Sequence, residues 1–171
     1  MSKGCLWWTC SPARSFDVLD LGLPSNLFPD NAEYQPIEVS YSDNTIPVIK
    51  SGVQTIEWKH GDVRYSVTRY PNIPKSLDAY NNSKERLLST WGVYKSLWAA
   101  PDLNQSIYSA DVFFVKCGTL YTNRKDCLLI ARYQEFNIYF STTISDEMTI
   151  QDFQNIAAFI DQQMANYIYE K

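Results

Sequence analysis

The chain has one histidine in 171 residues, six glycines with no cluster among them, and no run of basic residues. Each scarcity closes a class of chemistry. A lone histidine, His60, rules out multi-histidine metal centres and makes any Ser-His-Asp arrangement depend on one side chain. Without a glycine-rich loop there is no backbone cradle for phosphates, so a nucleotide fingerprint is absent. Nineteen acidic against fifteen basic residues give a net charge of −4. With Lys and Arg scattered, no stripe of positive charge is available to track a nucleic-acid backbone. No window reaches the roughly 20 apolar residues that a membrane-crossing helix requires. The five residues that open the chain are too few for a signal peptide.

Aromatic residues are plentiful: 12 Tyr, 8 Phe and 5 Trp. They suit strands and surfaces where one side is apolar and the other wet. Tyr65, Tyr70, Tyr133 and Tyr139 fall on expected strands and Trp58 ends one, so part of this set belongs to the core and the rest is free to line a groove or a partner interface. Four cysteines complete the inventory, spaced in two pairs. Four residues separate Cys5 from Cys10, and nine separate Cys117 from Cys127. Neither spacing is C-x-x-C, which argues against a zinc site or a redox dithiol.

Cys117 and Cys127 bound a polar loop between two strand-like runs, near residues 110–117 and 127–133. They are expected to form a disulfide across a long hairpin, and a bond of that kind implies an oxidising, extracytoplasmic compartment. The first pair has two readings. In one, Cys5 is the lipid-bearing first residue of a mature lipoprotein: Gly4 precedes it as a lipobox requires, and Trp7 and Trp8 follow as residues suited to a membrane interface. Against this, Ser2 and Lys3 depart from the lipobox pattern. In the other, Cys5 bonds Cys10 and the cysteine count is even.

Residues 1–36 read as an irregular, membrane-proximal segment, punctuated by Pro12, Pro24, Pro29 and Pro36. Residues 37–171 read as one α+β domain. Val53–Trp58 and Val63–Tyr70 alternate with period two around a turn at 59–62, placing Val63, Tyr65 and Val67 on one face and Arg64, Ser66 and Thr68 on the other. Ile37–Tyr41 and Ile46–Ile49 are candidates for an edge strand. A helix is expected from Pro74 to Trp91, with Leu77, Tyr80, Lys84, Leu87, Leu88 and Trp91 on one side. Three strands follow, the last at 136–144 and joined to its predecessor by Gln134-Glu135. The C-terminal helix is announced by a capping box, Thr149 with Asp152, and by the stripe Phe153, Ile156, Ala157, Ile160, Met164, Tyr167, Ile168. The expected architecture is a largely antiparallel sheet of five or six strands carrying two amphipathic helices.

This order of elements, with the pair Cys117 and Cys127 and the strand through Asn137-Ile-Tyr-Phe140, resembles small extracytoplasmic α+β sandwich domains. PsbP-like proteins, the sensor domains outside some bacterial Ser/Thr kinases and certain bacterial envelope lipoproteins are of this kind. The resemblance covers roughly residues 50–168 and implies a non-enzymatic protein of the cell envelope that binds a ligand or helps assemble a membrane complex. Protein partners and, through the N-terminus, the membrane surface are the implied contacts; no cofactor, metal or nucleotide is expected. The competing reading is a small hydrolase using Asp111 or His60 in a cleft. A turn histidine beside Gly61 and an aspartate opening a strand are more simply surface and strand-end residues.

Overall fold

A computed structural model describes residues 12–41, 46–89, 94–103 and 107–169. Cys5, Trp7, Trp8 and Cys10 lie outside the described residues, as does Trp91 at the expected end of the first helix. The strands are β1 (Glu33–Tyr34), β2 (Glu38–Ser40), β3 (Lys50–Trp58), β4 (Gly61–Arg69), β5 (Tyr94–Trp98), β6 (Val112–Leu120), β7 (Lys125–Tyr133) and β8 (Phe136–Ile144); the helices are α1 (Ile73–Ser89) and α2 (Ile150–Ile168). All eight strands join one antiparallel sheet in the order β1-β3-β4-β8-β7-β6-β5, with β2 also paired to β3.

The fold class is therefore α+β, with a sheet larger than the five or six strands expected. The additions are short edge pieces. β5, with exposed Lys95, Ser96 and Leu97, carries no alternating pattern, so local sequence does not announce it. Of the two edge-strand candidates, Ile37–Tyr41 supplies β2 beside β3, whereas Ile46–Ile49 forms no strand. The N-terminal segment is also more ordered than its prolines suggest. It holds two 3-10 turns, Val18–Leu21 and Ser25–Leu27, the first closed by a reciprocal capping box between Asp17 and Asp20.

Alternation divides the sheet into two faces. Val63, Tyr65 and Val67 on β4, Leu129, Ala131 and Tyr133 on β7, and Phe136, Ile138 and Phe140 on β8 all point to one side and are essentially inaccessible. α2 seals this side with Phe153, Ile156, Ala157, Ile160 and Met164, and Phe140 and Phe153 stack at 5.3 Å. Each Val, Leu, Ile, Phe or Met side chain among these contributes roughly 1.5–3 kcal/mol through burial. Tyr167, expected in the stripe, remains 40% exposed at the last turn. Val18, Leu21, Leu23 and Phe28 from the N-terminal segment extend the same core. Buried Gln54 holds this segment in place: its amide accepts from the Leu23 N–H at 2.8 Å and donates to the Leu23 and Gln35 carbonyls.

The other face is covered by α1 over only part of its width. Tyr80 packs on Leu128 and Ile130, with Leu87, Val112 and Phe114 around them. Leu77 and Leu88, expected on the buried side, are instead 39% and 41% exposed. Polar anchors near its first turn explain the helix's roll. Ser76 Oγ donates to the Gln134 carbonyl, and Asn137 Nδ2 donates to the Ser76 carbonyl at 2.9 Å. These bonds turn Ser76, Ala79 and Tyr80 inward.

Candidate functional site

Where α1 ends its cover, the second face changes character. Under the helix, β6 and β7 supply Val112, Phe114, Leu128 and Ile130; beyond it, β4 and β8 supply Arg64, Ser66, Thr68, Asn137 and Tyr139. The boundary forms a groove of about 380 Å³ between the sheet and α1, with Tyr80, Ser83 and Arg86 as its helical wall. This lies within the size range of small-molecule sites. The alternation that buries Val63, Tyr65 and Val67 on one side necessarily presents Arg64, Ser66 and Thr68 on the other. β8 adds Asn137 and Tyr139, since Ser66 pairs with Tyr139 and Thr68 with Asn137 in register.

The groove is positive. Arg64 and Arg86 line it, and among the described residues no carboxylate does and neither arginine makes an ion pair. An adjoining hollow shares Tyr70, Ser83 and Arg86 and includes one carboxylate, Glu85. Burial pushes the Tyr80 phenol above its ordinary pKa against a smaller opposing pull from Arg132. Burial likewise raises Tyr70, partly offset by a hydrogen bond from Asn137. Both phenols are therefore neutral donors at physiological pH. Asn137 Oδ1 is buried with no hydrogen-bond partner among the described residues.

The far end of the groove is fastened to the N-terminal segment. The β7–β8 turn is the two residues Gln134 and Glu135, with Gln134 at φ 53 in the left-handed region. Glu135 is fully buried and is gripped by Arg14 as a two-pronged fork, Nε to Oε1 at 2.8 Å and a terminal nitrogen to Oε2 at 2.7 Å. Arg69 stands 3.5 Å from the same carboxylate and donates to the Pro12 carbonyl. Both guanidiniums lie over the Phe136 ring, on which Phe16 also stacks at 5.4 Å. Through its backbone the same turn accepts from Tyr70 and from Ser76, so the clasp and the groove share one two-residue support.

Cys117 and Cys127 are bonded, with Cα atoms 4.2 Å apart and both residues buried. They stand opposite each other in the β6–β7 register rather than at the strand ends, because the ladder continues past them to Thr119 and Lys125. His60 lies in the β3–β4 turn, 60% exposed at its side chain, with Nδ1 2.9 Å from Glu147 Oε2. Asp111 accepts from the Gln134 N–H at 2.6 Å, pairs with Arg132 at 3.2 Å and receives the Tyr169 hydroxyl at 3.4 Å. Neither residue lines the groove. Among the described residues, no group of three or more His, Cys, Asp or Glu is placed to hold a metal ion, and no helix is long and apolar enough to cross a membrane.

Of the strand aromatics, Tyr65, Tyr133 and Trp58 belong to the core, whereas Tyr70 and Tyr139 border the groove. Arg86 and Asn137 escape sequence reasoning because nothing in either local pattern shows that α1 and β8 meet over this half of the sheet. Arg64, Ser66 and Thr68 were legible as one face, but not as a lining.

The fold is thus an open antiparallel sheet with one helix sealing one face and a second helix part-covering the other. It is similar to the extracellular domain of PknH from Mycobacterium tuberculosis, with a TM-score of 0.51 and 9% sequence identity over 89% of this chain and 94% of that one. At that identity the likeness speaks for the fold alone. No protein-family model matches the chain, and no curated protein sequence matches it.

Proposed function

We propose that this chain is a non-catalytic, extracytoplasmic binding domain of the cell envelope and that the groove between α1 and the sheet is where it binds. The observation that carries this reading is the asymmetry of the sheet. One face is sealed to near-complete burial by α2, while the other is left half open over hydroxyls, an amide and two arginines that have no counter-ion among the described residues. An antiparallel sheet can leave one polar face in water, and here that openness keeps the polar groups accessible to a ligand. The buried Cys117–Cys127 bond supports an oxidising location, as does the likeness to an extracellular domain. His60 and Asp111 are engaged in exposed or structural contacts apart from the groove, which favours binding over hydrolysis.

On this reading the N-terminal segment, held by Arg14 beside the groove's end, tethers the domain to a membrane or to an assembly partner, with Cys5 as lipid anchor or as the partner of Cys10. The test is made on intact cells of the native host. A membrane-impermeant reagent should label the protein, thiol titration should find Cys117 and Cys127 oxidised, and mass spectrometry of the N-terminal peptide should show either a diacylglyceryl Cys5 or its bond to Cys10. Protection from the reagent together with free thiols would place the chain in the cytosol and overturn the proposal.

A further inference from the structure

The groove's lining is specific enough to name a ligand class. Two features are combined in it. The first is charge: Arg64 projects from the middle of β4 and Arg86 from the last turns of α1, both exposed and neither neutralised by a described neighbour. In a chain with more acidic than basic residues, a cavity whose described lining holds two arginines and no carboxylate is not a sample of the average surface. Two guanidiniums facing one cavity repel each other, and an anion between them removes that cost while accepting paired N–H donors. The second feature is neutral polarity. Ser66, Thr68 and Ser83 line it with hydroxyls, that of Thr68 also bonded to Ser51 Oγ at 2.9 Å, and Tyr80 and Tyr139 add phenol side chains. This set matches a body that carries many hydroxyls and also has an apolar flat face.

We infer that the groove binds a small polyhydroxylated anion, a sugar acid or sugar phosphate, with its charged group held between Arg64 and Arg86 and its hydroxyls bonded by Ser66, Thr68 and Ser83. This rests on the groove being the binding site. A cavity of about 380 Å³ admits one or two sugar rings but not a folded partner. A carboxylate and a phosphate satisfy the same fork geometry, so both belong to the class.

The test uses the full oxidised chain and follows the side-chain Nε–H resonances of Arg64 and Arg86 by NMR while glucuronic acid, glucose 6-phosphate, glucose and inorganic phosphate are titrated separately. Saturable shifts are expected with at least one of the two acidic sugars, weakening as ionic strength rises. Glucose should give none, and phosphate alone should bind more weakly than glucose 6-phosphate. Arg64→Ala and Arg86→Ala should each reduce affinity for the acidic sugar about tenfold or more, as expected for loss of a charge-assisted hydrogen bond. Arg64→Lys, which keeps the charge without the fork, should fall between. Both arginines are exposed and make no ion pair among the described residues, so these variants should melt with the parent chain. Glucose shifting the groove resonances as strongly as the acidic sugars would overturn the anion assignment and leave the groove as a binding site. Phosphate binding as tightly as glucose 6-phosphate would overturn the sugar component. Silence from all four probes would sink both the ligand class and the groove.

Discussion

Removing the Glu135 carboxylate tests whether the N-terminal segment is part of the folded unit. Glu135 has no accessible surface, and its two oxygens are taken by the Arg14 fork at 2.8 and 2.7 Å, with Arg69 at 3.5 Å. The Arg14 and Arg69 side chains are themselves only 11% and 17% exposed. Glu135→Ala therefore leaves two largely buried cations facing an empty site, and breaking a buried pair from one side costs about 3–5 kcal/mol. Arg14 keeps its bond to Gln134 Oε1 at 2.7 Å and a longer one to the Ile168 carbonyl, which places the expected loss near the lower end. For a domain of this size about 3 kcal/mol corresponds to a fall of roughly 6–12 °C in Tm. Urea denaturation under oxidising conditions measures the loss, and the cycle with Arg14→Ala and the double variant isolates the coupling. The double variant should be much less destabilised than the sum of the singles. A loss below about 1 kcal/mol in Glu135→Ala, or additivity of the two substitutions within about 0.5 kcal/mol, would show that the clasp does not hold the segment.

Replacing Cys117 and Cys127 together by Ala should lower stability by about 3 kcal/mol, the loop-closure value for a ten-residue separation. Because both cysteines are buried, a reductant without denaturant should leave the native bond intact in a thiol-trapping assay. Asp17 is pushed up by partial burial, but the hydrogen bond from Lys50 at 2.7 Å and the Leu19 N–H outweigh this and set its pKa below the ordinary value. Its contribution is therefore present above the unfolded pKa of the carboxyl and lost as pH falls through the folded one. Lys50→Ala should raise the Asp17 pKa in an NMR titration; an unchanged midpoint would refute the pairing. Gly118→Ala should loosen β5, since a methyl group there would come within 2.7 Å of the Ser96 carbonyl oxygen of the neighbouring strand. Hydrogen exchange should accelerate at Ser96–Trp98 while β7 and β8 stay protected.

Elements with a strong local signal were legible before any coordinates. The start of α2 could be placed to the residue, because Thr149 and Asp152 cap it, and its apolar stripe has a helical period. β8 and the β3–β4 hairpin followed from alternation, and Cys117 opposite Cys127 followed from two cysteines bounding a hairpin. Here each residue's preference depends on neighbours a few positions away, which the chain itself displays. Of the strands at the sheet's edges, β2 falls within the candidate Ile37–Tyr41, but β1 and β5 are too short and too exposed to carry a period, so pairing with β3 or β6 is what makes them strands. The roll of α1 was likewise out of reach. Its sequence offers Leu77 and Leu88 to a core, yet hydrogen bonds from Ser76 and Asn137 turn them to solvent. The groove and the clasp lie wholly beyond local reading. Arg64 meets Arg86 over one cavity, and Arg14 meets Glu135 across 121 positions, only because β8 inserts between β4 and β7. A buried charge pair or a shared cavity is a property of two distant segments at once, and no period within either segment encodes it.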